Sequence, residues 1–599
     1  MISSGLFVLP GIAYAEIGPA SFLAYLLASI LVIPAMLSKA ELATAMPKAG
    51  GTYFFIDRSM GPGFGTLAGL SSWFALSFKS AFALLGIGAF AVLVFPHLTI
   101  WQTKLIAAAF CILFGTLNIF SIKHAGHTQI LLVLGLLALL FVYIMLGIPA
   151  VKVENLTPFL CGSPRVFIAT AGLIFISYGG LTKIANVAGE VRNPARNVPA
   201  SMLASFLIVS IIYGLAVFVT VGVVGQDLMK EGVPSLTPLS DAAARVLGTP
   251  GKIVMAVAAL LAFVSTGNAG IMTASRSPLA MSKDKLLPAY FGKVHPTYGT
   301  PRNAIVVTTF FMLGVILFLD LKMLVKTAST LMILLFASVN IAVVLMRESR
   351  ILAYQPKFRC PGYPWMQGIG VVAYGVMLFE MGAAPLMITA AFLAFGLLWY
   401  WVYGRINSNR VSALIHLVRR ITAREMQYDI LNSELKEILL ERDDIIEDRF
   451  DVLVKNADVI DERGDVLFEE LFRRIAAVLA EHTEVTEKRA YEFLLERERD
   501  SSTVLAPGLA IPHLIIPGDH HFRLLLVRCR TGVHFSSSEV PVEALFVLAG
   551  TADERNFHLK ALMSIAQVVQ QDRFLEKWRN ASEAEGLRDF VLLSERPRQ

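Results

Sequence analysis

In a chain this apolar, chemistry has to come from the polar or glycine-rich interruptions of its hydrophobic runs. The most pointed is Phe175–Pro199, FISYGGLTKIANVAGEVRNPARNVP. An apolar run from near Val166 meets Ser177-Tyr178-Gly179-Gly180, and glycine costs about 1 kcal/mol against alanine inside a helix. Within a bilayer, each freed N–H or C=O is costly unless a polar group takes it. A helix broken there is tolerated where it lines a site. The backbone around Phe175, Ser177, Tyr178, Gly179 and Gly180 is therefore a candidate grip for a polar solute. At the other end, in MISSGLFVLPG, Ser3, Ser4, Gly5 and Leu6 can present bare N–H groups at the start of a half-helix. Such an end carries about half a positive charge and suits a carboxylate. Lys79 stands mid-run in WFALSFKSAFALLGIG, where a charge is a functional candidate by default. It would contact substrate or stand in for a coupling cation; the plainer reading is a snorkelling side chain or one facing a watery vestibule. Ser265 and Thr266 are adjacent hydroxyls in an apolar run. Oxygen ligands suit a hard cation, and hydroxyls that only bend a helix onto carbonyls one turn back are the alternative.

The elements that position these residues follow from composition. The chain has 599 residues, 55% hydrophobic and 16% charged, with mean hydropathy +0.63. That is a polytopic α-helical membrane protein. Apolar runs dominate to about Trp401, and charges crowd in after Gly404. The reading is a membrane domain over 1–404, amphipathic linker helices over 405–447 and a soluble domain over 448–599. A net charge of +6 does not argue for nucleic acid, because basic residues of membrane proteins gather in cytoplasmic loops. Four scattered cysteines without CxxC suggest neither a metal site nor a disulfide framework. No cleavable signal is read at the N-terminus.

The run broken at glycine is followed by E-x-x-N-P-x-R-N-x-P (Glu190, Asn193, Pro194, Arg196, Asn197, Pro199). Together they resemble helix 6 and the next loop of the amino acid–polyamine–organocation permeases. MISSGLFVLPG resembles the break in helix 1 of that family. Glu41, Pro47, Gly50, Gly51 and Tyr53 fit the segment after helix 2. Ser275-Arg276, Lys283-Asp284, Pro288 and Pro301 match helix 8 and its loop. The resemblance implies about twelve transmembrane helices, with helices 1–5 and 6–10 as inverted repeats and both breaks at the midplane. The family places a half-helix before the first break, so the first helix here is expected to be truncated. In sodium-coupled relatives, paired hydroxyls at the position of Ser265-Thr266 help to hold the ion. Some proton-coupled members carry a helix 5 lysine, and ILLVLGLLALL has none. Sodium or proton coupling is implied, with no cofactor and no metal beyond sodium. Gly180-Leu181, where cationic amino acid carriers often place an acidic residue after the glycine, weakly disfavours a cationic substrate.

Lysine and arginine placement gives orientation. Lys39, Lys48 and Arg58 are assigned between helices 2 and 3, Arg192 and Arg196 after helix 6, Lys283, Lys285, Lys293 and Arg302 after helix 8, and Arg347, Arg350, Lys357 and Arg359 after helix 10. These loops fall on one side, which is cytoplasmic, and the tail follows them there. The stretch 225–249 is an outer loop.

In the tail, Arg410–Arg424 has a helical period with a basic face that suits the inner leaflet. A bridging amphipathic helix spans Tyr428–Ile446. Helices over 466–480 and 487–497, strands over 509–511, 522–529 and 542–548, and a helix over 554–571 make a compact α/β sandwich. Arg497-Glu498, Ser501-Ser502-Thr503, Gly508 and Ala510-Ile511-Pro512-His513 resemble the phosphorylation motif of mannitol/fructose-type enzyme IIA domains of the phosphotransferase system. On that resemblance His513 accepts the phosphoryl group, Arg497 neutralises it and His558 is the second active-site histidine. Leu514, where the family usually has glycine or alanine, is expected to crowd a partner's approach.

The function implied is a secondary transporter of amino acids or related organic solutes in the cytoplasmic membrane, not an enzyme, regulated by its IIA-like domain. Its partners would be an amino acid, the lipid bilayer, and a phosphocarrier protein or small regulatory ligand at the IIA-like domain; nucleic acid is not among them. The alternatives are a cation–chloride-type inorganic-ion cotransporter and a transport-dead sensor. A group-translocating sugar permease is set aside because no IIB-like phosphocysteine motif is visible.

Overall fold

Proline opens many of the long helices. Its missing N–H and fixed φ suit the first helical position, where the donor would be unpaired anyway. Pro62, Pro164, Pro194 and Pro238 each start one. Others begin on side-chain caps, such as Asp320, whose carboxylate accepts from Met323 N at 2.7 Å. A computed structural model describes the chain except for residues 1, 3, 49, 96, 121–124, 181–183, 185–190, 231, 352, 408–411, 422–429, 444, 484, 537, 582–583 and 599. It divides into two units: Met1–Ser349 with Pro356–Val418, and Arg350–Gln355 with Arg419–Gln599.

In the first unit, among the described residues, eight helices are long and apolar enough to cross a membrane. They are Leu9–Ala45, Pro62–Ala91, Ile100–Ile119, Val133–Ala150, Pro194–Leu228, Pro238–Lys283, Leu321–Glu348 and Ala383–Asn407. Pro164–Gly180 and Arg302–Phe318 are shorter apolar helices. The supposed outer loop is partly ordered. Met229–Lys230 pairs antiparallel with Val233–Pro234, and helix resumes at Pro238. Gly248, at φ 67° and ψ −157°, then kinks that helix. Several cations assigned to loops lie in helices: Arg196, Lys283, Arg302 and Arg347 sit in the end turns of theirs, and two others are buried. Lys39 lies inside the Ser21–Ala45 helix at 1% exposure, and Arg58 is buried in the Thr52–Met60 helix. Arg58 is held there by Asp57 (2.5 Å) and Asp284 (3.0 Å), with Tyr53 donating to Asp284 at 2.6 Å.

The second unit is built on a six-stranded mixed sheet. Phe522–Val533 is its spine: Asp458–Glu462 runs parallel on one side and Val542–Thr551 antiparallel on the other. Val542–Thr551 in turn carries Leu509–Ala510 and His513–Ile516, both parallel. Alternation sends Leu524, Leu526, Phe546 and Leu548 to one face and Leu525, Val527, Leu545 and Val547 to the other. The first face is covered by Arg449–Lys455, Arg555–Val569, Phe574–Asn580 and Ala584–Leu592, the second by Phe468–His482 and Glu487–Asp500. The expected strand over 509–511 is present as Leu509–Ala510; Gly508 and Pro512 separate it from two further short strands, Val504–Ala506 and His513–Ile516. In the linker, helix covers Ala413–Ile421 and Ile430–Arg442.

Candidate functional site

The two interruptions meet inside the first unit. Ser4–Phe7 forms one helical turn, the chain turns at Val8, and helix resumes at Leu9. Pro164–Ile174 is α-helical and then tightens to a 3-10 form over Phe175–Gly180. Every residue of Ser4–Phe7 and Phe175–Gly180 is buried. Gly5 lies so close to Ser177 that a methyl group on it would overlap the serine hydroxyl. The Gly5 carbonyl accepts from Ser177 Oγ at 3.3 Å and from Tyr25 Oη at 2.6 Å. Tyr178 Oη donates to the Tyr25 carbonyl at 2.9 Å. Tyr25, one residue of the Ser21–Ala45 helix, thus bonds to both interruptions.

The freed backbone of the second break is taken up by a neighbouring helix. Ser329, on Leu321–Glu348, donates to Leu173 O at 3.0 Å and accepts from Ile176 N at 3.3 Å. A hydroxyl is both donor and acceptor, so one side chain serves both orphaned groups. Phe175 packs edge-on against Phe336 (5.2 Å) and Tyr374 (5.9 Å), and Tyr178 packs tilted against Tyr213 (5.5 Å). Lys79 is 4% exposed. Its Nζ would lie 3.5 Å from a β-carbon on Gly179, so it reaches the break and does not snorkel. Ser265 and Thr266 are half-buried on Pro238–Lys283. Phe263 of that helix stacks edge-on with Phe7, at 5.9 Å. Among the described residues, neither hydroxyl is hydrogen-bonded to a break. Ser3 and Glu190 lie outside the described residues.

The second unit brings its own set together. His513 opens the His513–Ile516 strand, Arg497 comes from the last turn of Glu487–Asp500, and His558 from the first turn of Arg555–Val569. Arg497 Nε and Nη2 lie 3.2 and 2.9 Å from His513 Nε2. His513 Nδ1 lies 3.0 Å from the Ile511 carbonyl. A carbonyl only accepts, so Nδ1 carries the proton and Nε2 the lone pair. The two imidazole rings are 5.5 Å apart. Burial holds the His558 imidazole below its ordinary pKa, and charge on His513 pushes the same way. Leu514, expected to crowd a partner's approach, is instead buried and belongs to the core on the helix Phe468–His482 side. Among the described residues, only His520, Asp553 and Glu554 stand close enough together to hold an ion. Both carboxylates already have partners, Asp553 in His520 (2.9 Å) and Glu554 in Arg449 (2.7 and 2.9 Å). Phe557, edge-on to Phe522 beside His558, also lines a cavity of about 330 Å³ with Arg449, Phe450, Lys560 and Gln567.

Sequence reasoning missed Tyr25, Ser329 and Phe336. A signal was there for Tyr25, since a tyrosine in an apolar span must find a partner for its hydroxyl.

Comparison with known proteins agrees with both halves. Residues 1–410 match the family described as "Amino acid permease", and residues 467–593 match "Phosphoenolpyruvate-dependent sugar phosphotransferase system, EIIA 2". The chain is similar to the methylthioribose transporter of Bacillus subtilis (strain 168), 26% identical over 442 residues, 68% of this chain and 91% of that one. It is similar to the branched-chain amino acid permease BcaP of the same organism, 26% identical over 440 residues, covering 68% and 90%. Among solved structures, the nitrogen regulatory protein IIA-Ntr from Neisseria meningitidis is 28% identical, covering 22% of this chain and 91% of that one, with a TM-score of 0.21. The chain belongs to the amino acid permease family, a multi-pass membrane transporter that carries a phosphotransferase EIIA 2 domain on its C-terminal side.

Proposed function

We propose that the protein is a secondary active transporter for an amino acid or a related organic solute, held by main-chain groups where the two interrupted helices meet. The observation that carries this is the shared environment of Gly5 and Ser177, with Tyr25 bonded to both segments. The grip comprises Ser3–Leu6 and Phe175–Gly180, with Lys79 beside Gly179. About twelve spans in a 5+5 inverted repeat complete the carrier. The coupling ion is sodium or a proton, and Ser265 and Thr266 are the oxygen ligands the chain offers in the sodium case. The named solutes of the relatives, methylthioribose and branched-chain amino acids, are uncharged or zwitterionic organic molecules, which favours this reading over an inorganic-ion cotransporter. The division at 404 and 447 separates carrier, linker and regulatory domain, and the last of these lies in the cytoplasm.

The regulatory domain takes a phosphoryl group on His513 Nε2 from a phosphocarrier protein. Arg497, now on that nitrogen, moves to the phosphoryl oxygens, which accept a bidentate fork. His558, neutral at pH 7, stands 5.5 Å away to orient the group. A small regulatory ligand is assigned to the cavity beside Phe557. The test is uptake of a radiolabelled amino acid panel into liposomes holding the full chain, with phosphorylation by phosphoenolpyruvate and the general phosphotransferase proteins run in parallel. Uptake of none of the panel ends the carrier reading. Label that persists in His513→Ala ends the phosphoacceptor assignment.

A further inference from the structure

A second buried lysine lies behind the aromatic wall of the break. Lys39 is 1% exposed, and its Nζ has no hydrogen-bond acceptor among the described residues. It sits 4.2 Å from the centroid of Phe336, the ring that packs on Phe175 at 5.2 Å. One turn beyond Phe336, Asn340 is fully buried with neither amide atom paired, its nitrogen against Gly370. Gln367 donates to Ser38 Oγ at 3.3 Å and leaves its own Oε1 unpaired. Four unpaired buried polar atoms on three neighbouring helices are more than a purely structural core tolerates.

The other titratable groups of these helices have partners. Glu41, on the lysine's own helix, is gripped by Arg347 at 2.7 and 2.5 Å and by Cys360 N at 2.7 Å. Tyr374 donates to Leu31 O at 2.6 Å, and Tyr178 to Tyr25 O. The remaining charges, among them Arg165, Arg196, Lys326 and Glu348, lie near the ends of their helices. Lys39 is left with an aromatic face in place of a counter-charge. A ring face favours an ammonium only while it stays in position.

We propose that Lys39 carries the coupling proton: its amine binds one proton from water in one conformation and returns it to water in the other. The shared Phe336 ring ties this event to the break. Movement of Phe175 as solute binds shifts Phe336 and so changes the support for the ammonium. By reciprocity, protonation changes the break's preference by the same factor. This rests on the carrier reading above.

The experiment uses the full chain in liposomes with a trapped pH indicator and a mixture of the labelled amino acids as probe. Counterflow at equal pH reports binding and exchange alone. Uptake under an inward proton gradient, with acidification of the interior, reports coupling. Wild type should show both, with the gradient raising accumulation at least tenfold. Lys39→Met and Lys39→Gln should keep counterflow within about twofold of wild type, by the usual modest effect of a change outside the binding groups, while gradient-driven accumulation falls to the no-gradient level. Lys39→Arg, whose guanidinium does not release its proton, should likewise exchange without moving protons; it carries the test should the neutral variants fail to insert. Wild-type acidification in Lys39→Met or Lys39→Arg overturns the proposal. So does a wild type that exchanges amino acids without moving protons. A wild type with no counterflow of any amino acid overturns the carrier reading itself, and the proposal with it.

Discussion

His513 has a single nitrogen, Nε2, with a free lone pair, and Arg497 covers it. The guanidinium is 2.9 Å from Nε2 by one donor and 3.2 Å by another, while the Ile511 carbonyl fixes the proton on Nδ1. In the proposed phosphoacceptor role, Arg497 would both restrain that nitrogen and receive the phosphoryl oxygens. A charge-assisted hydrogen bond is worth about 1.5–3 kcal/mol, so Arg497→Ala should lower the steady-state fraction of phosphorylated protein at least tenfold; quantitative phosphohistidine labelling measures this. His558 gives a sharper test. Its pKa is lowered first by burial and second by His513. In His513→Ala the second cause vanishes and the first stays, so the His558 midpoint should rise but remain below about 6.5, the ordinary value, by NMR titration. Because the folded pKa is below the unfolded one, the fold binds the His558 proton less readily. Stability from this group is therefore lost as pH falls below the ordinary value, and the loss levels off below the depressed one. At the other site, Gly5 marks a contact with no room for a side chain. Gly5→Ala should abolish uptake while leaving membrane insertion intact, and Gly5→Ala with Ser177→Gly should recover part of it.

At the scale of elements, each unit depends on one element lending a side chain to another. Ser329 lets the chain leave α-helical geometry between Leu173 and Ile176 without orphaned polar groups. Ser329→Ala leaves a donor and an acceptor unmet, about 1–3 kcal/mol for each buried group; uptake should fall at least tenfold with protein level unchanged on immunoblots of membranes. In the second unit, Arg528 plays the equivalent part. It is 1% exposed, grips Asp461 at 2.7 and 2.6 Å, and donates to the carbonyls of Trp578 and Ala581 at the end of Phe574–Asn580. The strand Asp458–Glu462 and that helix are thus fastened through one guanidinium. Arg528→Met leaves Asp461 with Arg530 alone, at 3.2 Å, and leaves the helix carbonyls unmet; each buried acceptor left without its donor costs about 1–3 kcal/mol. The unfolding transition of the C-terminal domain, followed calorimetrically in the full chain, should drop by several degrees or disappear.

At the scale of the whole molecule, the two-part organisation was legible because hydropathy changes abruptly near Gly404, and a change of solvent is the strongest pattern a sequence can carry. The breaks were legible because glycine and serine are conspicuous in an apolar run. Arg497, His513 and His558 came from a motif, and the structure brings them together. What the sequence concealed was pairing at long range. Ser329 lies 153 residues from Ile176, and nothing local distinguishes it from other hydroxyls in apolar helices. Lys39 looked like a loop cation because lysine near a helix end usually is; tertiary burial overrides that habit. The helices Phe574–Asn580 and Ala584–Leu592 were missed because each is under ten residues and too short to show a clear period. One further feature bears on how such a protein is assembled over evolutionary time. The second unit claims Arg350–Gln355 from between two permease helices, so the polypeptide passes between units after Ser349, after Gln355 and after Val418. A graft that exchanged only the region beyond Val418 would leave six residues of the former companion behind, and such hybrids should express less well than ones that swap the hexapeptide too. Domain shuffling in this lineage would then need all three junctions at once, which favours joint inheritance of both halves.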